Sequence, residues 1–182
     1  MSIKYAILGF LSWKPLTGYD LKKLFAESDT FHWSGNSNQV YRTLVELHRE
    51  NLVTQQVEYQ ENHPPRKVYT ITAPGQAELK QWVRSTPDLP QLRNPFWIQL
   101  AWADPLDDGE LDALLSAYED ELDARVIMLR EQARRDSLSP GRTPRESYLW
   151  SMIADSQISF YERERAWTRQ LREELARDRI RP

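Results

Sequence analysis

A short polar run after residue 35 carries side chains suited to contacting a nucleic acid. The run comprises Asn36, Ser37, Asn38, Gln39, Tyr41 and Arg42. Amides and hydroxyls hydrogen-bond the edges of bases in a major groove, whereas arginine and tyrosine reach phosphates. A capped helix with an ordinary solvated face carries the same residue types. The chemistry therefore depends on the element that presents the run.

Aliphatic residues behind the polar run recur at helical spacing, namely Val40, Leu44 and Leu47. This spacing predicts a helix over residues 34–52 with one face packed on a core. Ser34 or Asn36 can cap this helix by accepting a hydrogen bond from a backbone N–H of its first turn. We expect Thr43 to lie with the polar run, mostly on the exposed side.

The preceding residues predict the other helices of a helix-turn-helix unit. A first helix is expected over residues 2–12 and a second over residues 19–27, with Lys14 to Gly18 as the turn between them. Thr17 is placed to cap the second helix. Tyr19 and Lys22 stand in the first turns of the second helix, where we expect them to contact phosphates.

The residues that follow the polar helix predict a β-hairpin. Residues 52–59 and 66–72 alternate in part and are rich in β-formers, whereas residues 60–65 are polar and are expected to form the loop. Arg66 and Lys67 beside this loop could meet phosphates or a minor groove. A plain hairpin with a solvated tip would look the same. A further helix is expected from Ala73 to about Arg84.

Prolines at 87, 90 and 95 mark a domain boundary, which divides the chain into residues 1–86 and 87–182. After it we expect a short buried helix over residues 96–102 and long helices over residues 109–136 and 144–177. Each long helix carries an apolar stripe with charged flanks. The stripes comprise Leu111, Leu115, Tyr118, Leu122, Val126 and Leu129, and Leu149, Ile153, Phe160, Trp167, Leu171 and Leu175. Burying both stripes favours a homodimer.

Composition narrows the class of protein without naming it. The net charge is −3, but residues 1–86 hold 10 basic and 8 acidic residues, whereas residues 87–182 hold 14 and 19. The sign of this small asymmetry fits an N-terminal half that faces DNA. The chain has no cysteine, which fits a reducing cytoplasm. No segment has the pattern of a signal peptide or a membrane span, so we expect a cytoplasmic protein without a membrane partner.

The remaining candidate sites are an aromatic ligand pocket and a catalytic or metal-binding site. The chain has seven tryptophans, and Trp13, Trp97, Trp102 and Trp150 are candidates for a flat aromatic ligand pocket, with packing in a core or dimer seam as the alternative. No catalytic set, metal-ligand spacing or phosphate-binding glycine run is present. We therefore expect no enzymatic activity, no metal and no cofactor.

Four pieces of this chain, in order and spacing, resemble the PadR family of bacterial transcriptional regulators. They are ILGFL at 7–11 with PLTGYDL at 15–21, QVYRTL at 39–44, NLV at 51–53, and PRKVYTIT at 65–72. The resemblance covers most of residues 5–83, whereas the C-terminal half resembles the family's helical dimerisation region by pattern alone. The predicted fold is mainly α with a small β-hairpin wing: a winged helix-turn-helix domain followed by a C-terminal α-helical dimerisation domain.

The resemblance implies a homodimer that binds double-stranded DNA at a palindromic site and usually represses transcription. It also implies that a small aromatic or otherwise apolar effector often relieves repression. Two other functions remain open at this point: a winged helix that docks on a protein, and a small-molecule sensor without direct DNA readout. The acidic balance of the whole chain favours the protein-docking module slightly.

Overall fold

The computed structural model describes residues 3–27, 37–60, 63–90, 93–135 and 140–177. The chain divides into two compact units, Met1–Asp88 and Leu89–Pro182, called here the N-terminal and C-terminal units. Among the described residues no helix has the length and apolarity that crossing a bilayer requires.

In its described residues the N-terminal unit consists of four helices and a three-stranded antiparallel sheet. In chain order the elements are α1 (Ile3–Leu11), β1 (Leu16–Thr17), α2 (Gly18–Glu27), α3 (Ser37–Arg49), β2 (Val53–Gln60), β3 (His63–Ile71) and α4 (Ala73–Val83). The strand order is β1-β3-β2, so the long hairpin β2–β3 carries the short strand β1 along one edge. These elements match the predicted helices and hairpin, and the fold class is confirmed.

One apolar core holds this unit together. Its centre is formed by α1 and α3, where Ile7, Leu8, Leu44 and Leu47 are almost completely buried. The helical spacing of these residues places them on one face of each helix, as the sequence predicted. Tyr69 of β3 joins the same cluster and ties the sheet to the helices.

The segment between α1 and α2 was predicted as a plain turn, and this was incomplete. Leu16 and Thr17 pair with Tyr69 and Val68 of β3 as a short strand, and α2 begins directly afterwards. The Thr17 hydroxyl oxygen accepts a hydrogen bond from the Asp20 backbone N–H at 3.1 Å. The Asp20 carboxylate accepts in return from the Thr17 N–H and hydroxyl, at 2.9 and 2.7 Å. This reciprocal pair fixes the start of α2.

The hairpin is longer than the sequence predicted. Residues 60 and 63–65, assigned to a loop, belong to the strands, and Gln60 pairs with His63. Residues 61 and 62, the rest of the expected loop, lie outside the described residues. Prolines at 64 and 65 fit a strand here because β1 pairs with β3 only at Val68 and Tyr69. At the prolines β3 is therefore unpaired on the β1 side, and on the other side the ladder with β2 is irregular between Glu58 and Gln60. Strands tolerate proline at such edges and bulges.

The start of α4 is docked on the junction between α3 and β2. Thr72 caps α4, and its hydroxyl also donates to the Asn51 carbonyl at 2.7 Å. A Cβ at Gly75 would lie 2.1 Å from the Leu52 carbonyl oxygen, so only glycine permits this approach. Asn51 itself has a φ of 59°, in the left-handed region that asparagine tolerates better than most residues. The orientation of the hairpin relative to α3 is fixed by these contacts.

The C-terminal unit is a helical hairpin with one short helix beside it. It contains α5 (Pro95–Ala101), α6 (Asp108–Arg135) and α7 (Pro144–Ala176). Asn94 caps α5 and Thr143 caps α7 through side chains that accept backbone N–H groups. Asp107 caps α6 in the same way, with Glu110 returning the hydrogen bond. The predicted bounds of the long helices are thus confirmed to within one or two residues.

The two long helices run antiparallel and are joined by a series of ion pairs. Asp112 pairs with Arg172, Asp123 with Arg165, and Glu162 with Arg130. Residues early in α6 therefore meet residues late in α7. The apolar stripe of α6 is buried in this seam at Leu115, Leu122, Val126 and Leu129, as predicted.

One expectation about burial in this unit was wrong. The short helix α5 was expected to be buried, but only Phe96 is, whereas Trp97 and Ile98 are exposed. A helix of two turns has one face against α6 and α7, and its other residues meet solvent. The α7 stripe is also exposed at Leu149, Ile153, Phe160 and Trp167, a row called here the α7 strip.

Candidate nucleic-acid interface

The first turns of α3 present their polar side chains at the surface. Asn38 and Arg42 are exposed and Gln39 is half-buried, and these three line one open concavity together with Tyr41. Thr43 was expected on this side, but it is buried. It lies three residues after Val40 and four before Leu47, so it belongs to the core stripe.

Tyr41 is held against the backbone of α2. A Cβ built on Gly18 would lie 2.5 Å from Cε1 of the Tyr41 ring, so the ring occupies space that any side chain at position 18 would fill. Its outer surface remains 46% exposed. Gly18 therefore positions an aromatic side chain of α3 at the surface where α2 begins.

A second concavity, of about 400 Å³, adjoins the first through Tyr41. It is formed by the start of α2, by Tyr41 and by the base of the hairpin, and Tyr19, Arg66 and Lys67 line it. Four of the predicted DNA-contacting residues, widely separated in sequence, are thereby brought to one place. Two basic side chains and two phenol groups around a helix start form a suitable surface for a phosphate.

Burial and hydrogen bonds shift the pKa values of two residues that line this surface. Asp20 lines the second concavity. Burial alone would raise the pKa of its carboxyl, but hydrogen bonds from the Thr17 N–H and hydroxyl outweigh it and hold the pKa below its usual value. Burial, and then the neighbouring Tyr41, raise the pKa of the Tyr69 phenol, which donates a hydrogen bond to Gln55 at 3.3 Å. The Asp20 carboxylate is therefore negatively charged at neutral pH, whereas the Tyr69 phenol is uncharged.

Three predicted residues are not placed in these concavities. Lys22 is exposed on α2 but lines neither of them. Ser37 begins α3, and Asn36, like the alternative cap Ser34, lies outside the described residues. The described residues of the polar face of α3 are therefore Asn38, Gln39, Tyr41 and Arg42.

The sequence interpretation missed three contributors to this site. Gly18 seats Tyr41, Tyr69 forms the floor of the second concavity, and Glu58 binds Arg66 across the hairpin. The capping pair of Thr17 and Asp20 had a recognisable signal, since a Thr followed three residues later by an acid is typical of a helix start. The packing of Tyr41 on Gly18 has no local signal because the partners are 23 positions apart in this sequence.

The four candidate tryptophans occupy dissimilar environments. Trp13, in the N-terminal unit, packs edge-on against Phe10 of α1 with ring centroids 5.0 Å apart. Trp97, at the start of α5, donates its indole N–H to Glu164 at 3.0 Å. Trp102 is 79% exposed, and Trp150 is half-buried on α7. None of the four lines either concavity of the α3 surface.

Comparison with known proteins places the chain in a family. The model of the transcriptional regulator PadR-like family matches residues 7–81, and the model named Virulence activator alpha C-term matches residues 92–176. The negative transcriptional regulator PadR of Bacillus subtilis is 31% identical over 130 residues, which are 71% of this chain and 70% of that protein. The chain belongs to the PadR-like family.

Solved structures agree with this membership at the level of the fold. Bacillus subtilis PadR in complex with operator DNA superposes with a TM-score of 0.83 at 23% identity, covering 95% of this chain and 98% of that one. The same protein in complex with p-coumaric acid gives a TM-score of 0.78 at 22% identity, covering 96% and 98%. The winged helix-turn-helix fold predicted from the sequence is confirmed, and the chain is a transcriptional regulator of the PadR-like family.

Proposed function

We propose that this protein is a DNA-binding transcriptional repressor that acts as a homodimer on a palindromic operator and responds to a small aromatic effector. The observation that carries the proposal is the joint placement of Asn38, Gln39 and Arg42 beside Lys67 on one exposed surface. Membership of the PadR-like family supports the same function. The protein acts by binding rather than by catalysis. Its partner is double-stranded DNA in the cytoplasm.

Within this proposal the described residues divide into two roles. Asn38 and Gln39, from the first turn of α3, contact base edges in the major groove. Tyr19, Tyr41, Arg42 and Lys67 bind phosphates around them, and Lys22 binds a phosphate farther along α2. Asn36 and Ser37 remain proposed base contacts, and Arg66 is the second basic residue of the wing.

A matched pair of glutamine variants tests the base-contacting role. A good bidentate contact to a base discriminates by about 1–3 kcal/mol, so Gln39→Ala should reduce the preference for the chain's own upstream DNA over a random duplex. Gln76→Ala, an exposed glutamine on α4, is the control and should leave the preference unchanged. Fluorescence anisotropy at fixed salt measures both. An equal loss of affinity for both duplexes with Gln39→Ala would remove Gln39 from base recognition.

The homodimer is supported by the exposed α7 strip. Leu149, Ile153, Phe160 and Trp167 lie on one side of a long helix and present aliphatic and aromatic surface to solvent. A second copy covers such a strip in an isologous interface. Two recognition helices in one dimer would read half-sites about 34 Å apart. Sedimentation velocity gives the oligomeric state, and a monomer at all concentrations would contradict this part of the proposal.

The effector is inferred from the relative whose structure contains p-coumaric acid. Trp13, Trp97, Trp102 and Trp150 remain candidates for its contacts, as predicted. Titrating p-coumaric acid should quench tryptophan fluorescence saturably and release the bound upstream DNA in an anisotropy assay. Quenching without release would make the compound a ligand but not an effector, and the absence of both would leave the rings as packing residues.

A further inference from the structure

The two basic residues of the wing lie on opposite faces of the sheet. Arg66 and Lys67 are consecutive in β3, and consecutive residues of a strand point to opposite sides. Lys67 lies on the same side of the sheet as Tyr69, which packs into the core beside α3. The cross-strand partner of Lys67 is Val57. Arg66 lies on the other side, where its partner across the hairpin is Glu58. The two cations therefore have different surroundings although they are adjacent in sequence.

Arg66 is bound by a carboxylate of its own hairpin. Its Nη2 lies 2.7 Å and its Nε 2.8 Å from Oε2 of Glu58. The side chains are 50% and 46% exposed, so the pair lies at the surface and can exchange partners. Asp20 lines the concavity that Arg66 and Lys67 share, so its negative charge lies near both and Glu58 is what distinguishes Arg66.

Lys67 differs from Arg66 in its ionic partners. It is exposed and lines the concavity beside Tyr19 and Tyr41. Within residues 3–27, 37–60, 63–90, 93–135 and 140–177, no carboxylate forms an ion pair with it. A phosphate that approaches Lys67 meets a hydrated ammonium group, whereas one that approaches Arg66 must displace Glu58.

We propose that Glu58 is an internal counterion that competes with DNA phosphates for Arg66 and thereby lowers the sequence-independent affinity of this regulator for DNA. Non-specific binding depends on the number of phosphates neutralised by basic side chains and on the counterions they release. A cation already neutralised within the protein contributes little to that number. Glu58 therefore reduces the contribution of Arg66 to DNA binding, and removing Glu58 restores it. This inference rests on the proposed role of the wing in DNA binding.

The test measures the salt dependence of DNA binding for the full-length protein and three variants. The variants are Glu58→Gln, Arg66→Ala and the double variant, and the probe is a random-sequence duplex whose anisotropy is followed across a series of potassium chloride concentrations. Glu58→Gln should tighten binding roughly three- to tenfold near 0.1 M salt and steepen the slope of log K against log salt by about 0.9, the value of one additional phosphate contact.

The double variant separates competition for Arg66 from a general charge effect. In the Arg66→Ala background, Glu58→Gln should leave the salt slope unchanged, because no cation is released to contact a phosphate. Glu121→Gln is the control for charge alone, since it removes an equally exposed acid from α6, and it should leave the slope at the wild-type value. Circular dichroism confirms that every variant is folded.

Each other outcome overturns the inference. Weaker binding by Glu58→Gln would mean that Glu58 orients Arg66 toward DNA rather than competing for it. A steeper slope that persists without Arg66 would mean a general charge effect, and an unchanged affinity would mean that neither residue meets DNA. A wild-type protein that binds neither the random duplex nor its own upstream DNA would instead refute the proposed DNA-binding function, and the inference with it.

Discussion

The N-terminal unit packs most of its buried apolar side chains into one core, whereas the C-terminal unit leaves a row of them, the α7 strip, exposed in a single chain. The N-terminal core draws on every helix and on the sheet, with α1, α3 and Tyr69 of β3 at its centre. In the C-terminal unit, α6 buries its stripe but α7 exposes most of its own. The comparison indicates that the N-terminal unit is stabilised by a core of its own, whereas the C-terminal unit has apolar surface that a single chain leaves uncovered.

The two units also differ in what joins their elements. In the C-terminal unit the Glu164 carboxylate accepts hydrogen bonds from Asn94, Trp97 and Tyr118 at 2.8, 3.0 and 3.1 Å. It thereby links α5, α6 and α7 through polar groups. These ion pairs and this carboxylate flank the buried α6 stripe, and exposed ion pairs of this kind add little stability. An apolar core adds more, because its free energy grows with the buried area.

The largest expected effect is a loss of stability from a truncation in the N-terminal core. Leu44→Ala removes a side chain that is 0% exposed in the centre of α3, and such a truncation costs about 2–5 kcal/mol. Val45→Ala, one position along and 64% exposed, is the matched control and should change the free energy of unfolding by less than about 0.5 kcal/mol. Urea denaturation followed by circular dichroism measures both. Equal effects would mean that this face of α3 is not packed as described.

The next effect concerns the exposed strip of the C-terminal unit. Ile153→Asp places a charge in the proposed dimer seam, where an unpaired buried charge costs about 3 kcal/mol or more. The dimer dissociation constant should rise roughly a hundredfold, as measured by sedimentation equilibrium. Ser151→Asp adds the same charge outside the α7 strip and should leave dimerisation intact. If both variants remain dimers, the α7 strip is not the interface.

A smaller effect separates binding from stability within the N-terminal unit. Gly18→Ala should displace the Tyr41 ring, which is free to swing outward because its other side faces solvent. We expect DNA affinity to fall roughly five- to tenfold, since one hydrogen bond to a phosphate is lost, at about 1–1.5 kcal/mol. The melting temperature should change little. Tyr41→Ala in the same assay should match the loss, and the two substitutions together should not add.

The smallest effect is the acid sensitivity of the seam between α6 and α7. The guanidinium groups of Arg172 and Arg165 hydrogen-bond Asp112 and Asp123 and hold the pKa of each carboxyl below its usual value. Because the folded-state pKa values are depressed, this stabilisation is present above the unfolded value of about 3.9 and is lost as the pH falls. The melting temperature should therefore decline from about pH 5 downward.

The corresponding variants identify the source of this decline. Removing both carboxylates with Asp112→Asn and Asp123→Asn should flatten the pH dependence of the melting temperature below about pH 5. Asp155→Asn, an exposed acid on α7, should leave it unchanged. Thermal unfolding followed by circular dichroism at a series of pH values makes the comparison. An identical decline in the double variant would locate the acid sensitivity outside this seam.

Much of the fold could be predicted from local patterns. The spacing of Val40, Leu44 and Leu47 predicted α3, and Thr72 before Ala73 and Pro74 predicted the start of α4. Both signals are local, since helical periodicity and caps involve residues within a few positions. The hairpin was located correctly but its loop was predicted too long, because prolines at 64 and 65 usually indicate a loop. Only the strand pairing shows that they lie beside an irregular part of the ladder.

The candidate site was predictable by residue type but not by contact. Asn38, Gln39 and Arg42 were identified from a polar run before an aliphatic stripe, and they line one concavity. Thr43 was assigned to the wrong side because a hydroxyl in a polar run gives no sign of burial. The role of the tryptophans, the bounds of the two functional domains and the roles of the site residues remain predictions.

By itself the sequence determined which segments are helices or strands, which faces are apolar, and which residues begin each helix, because these depend on neighbours within a few positions. Only the tertiary structure decided that Tyr41 rests on Gly18, that Glu58 binds Arg66 while Lys67 stays unpaired among the described residues, and that the α7 strip is exposed in one chain. These contacts depend on strand register and helix packing. Register and packing are set by the whole core, which no local pattern specifies.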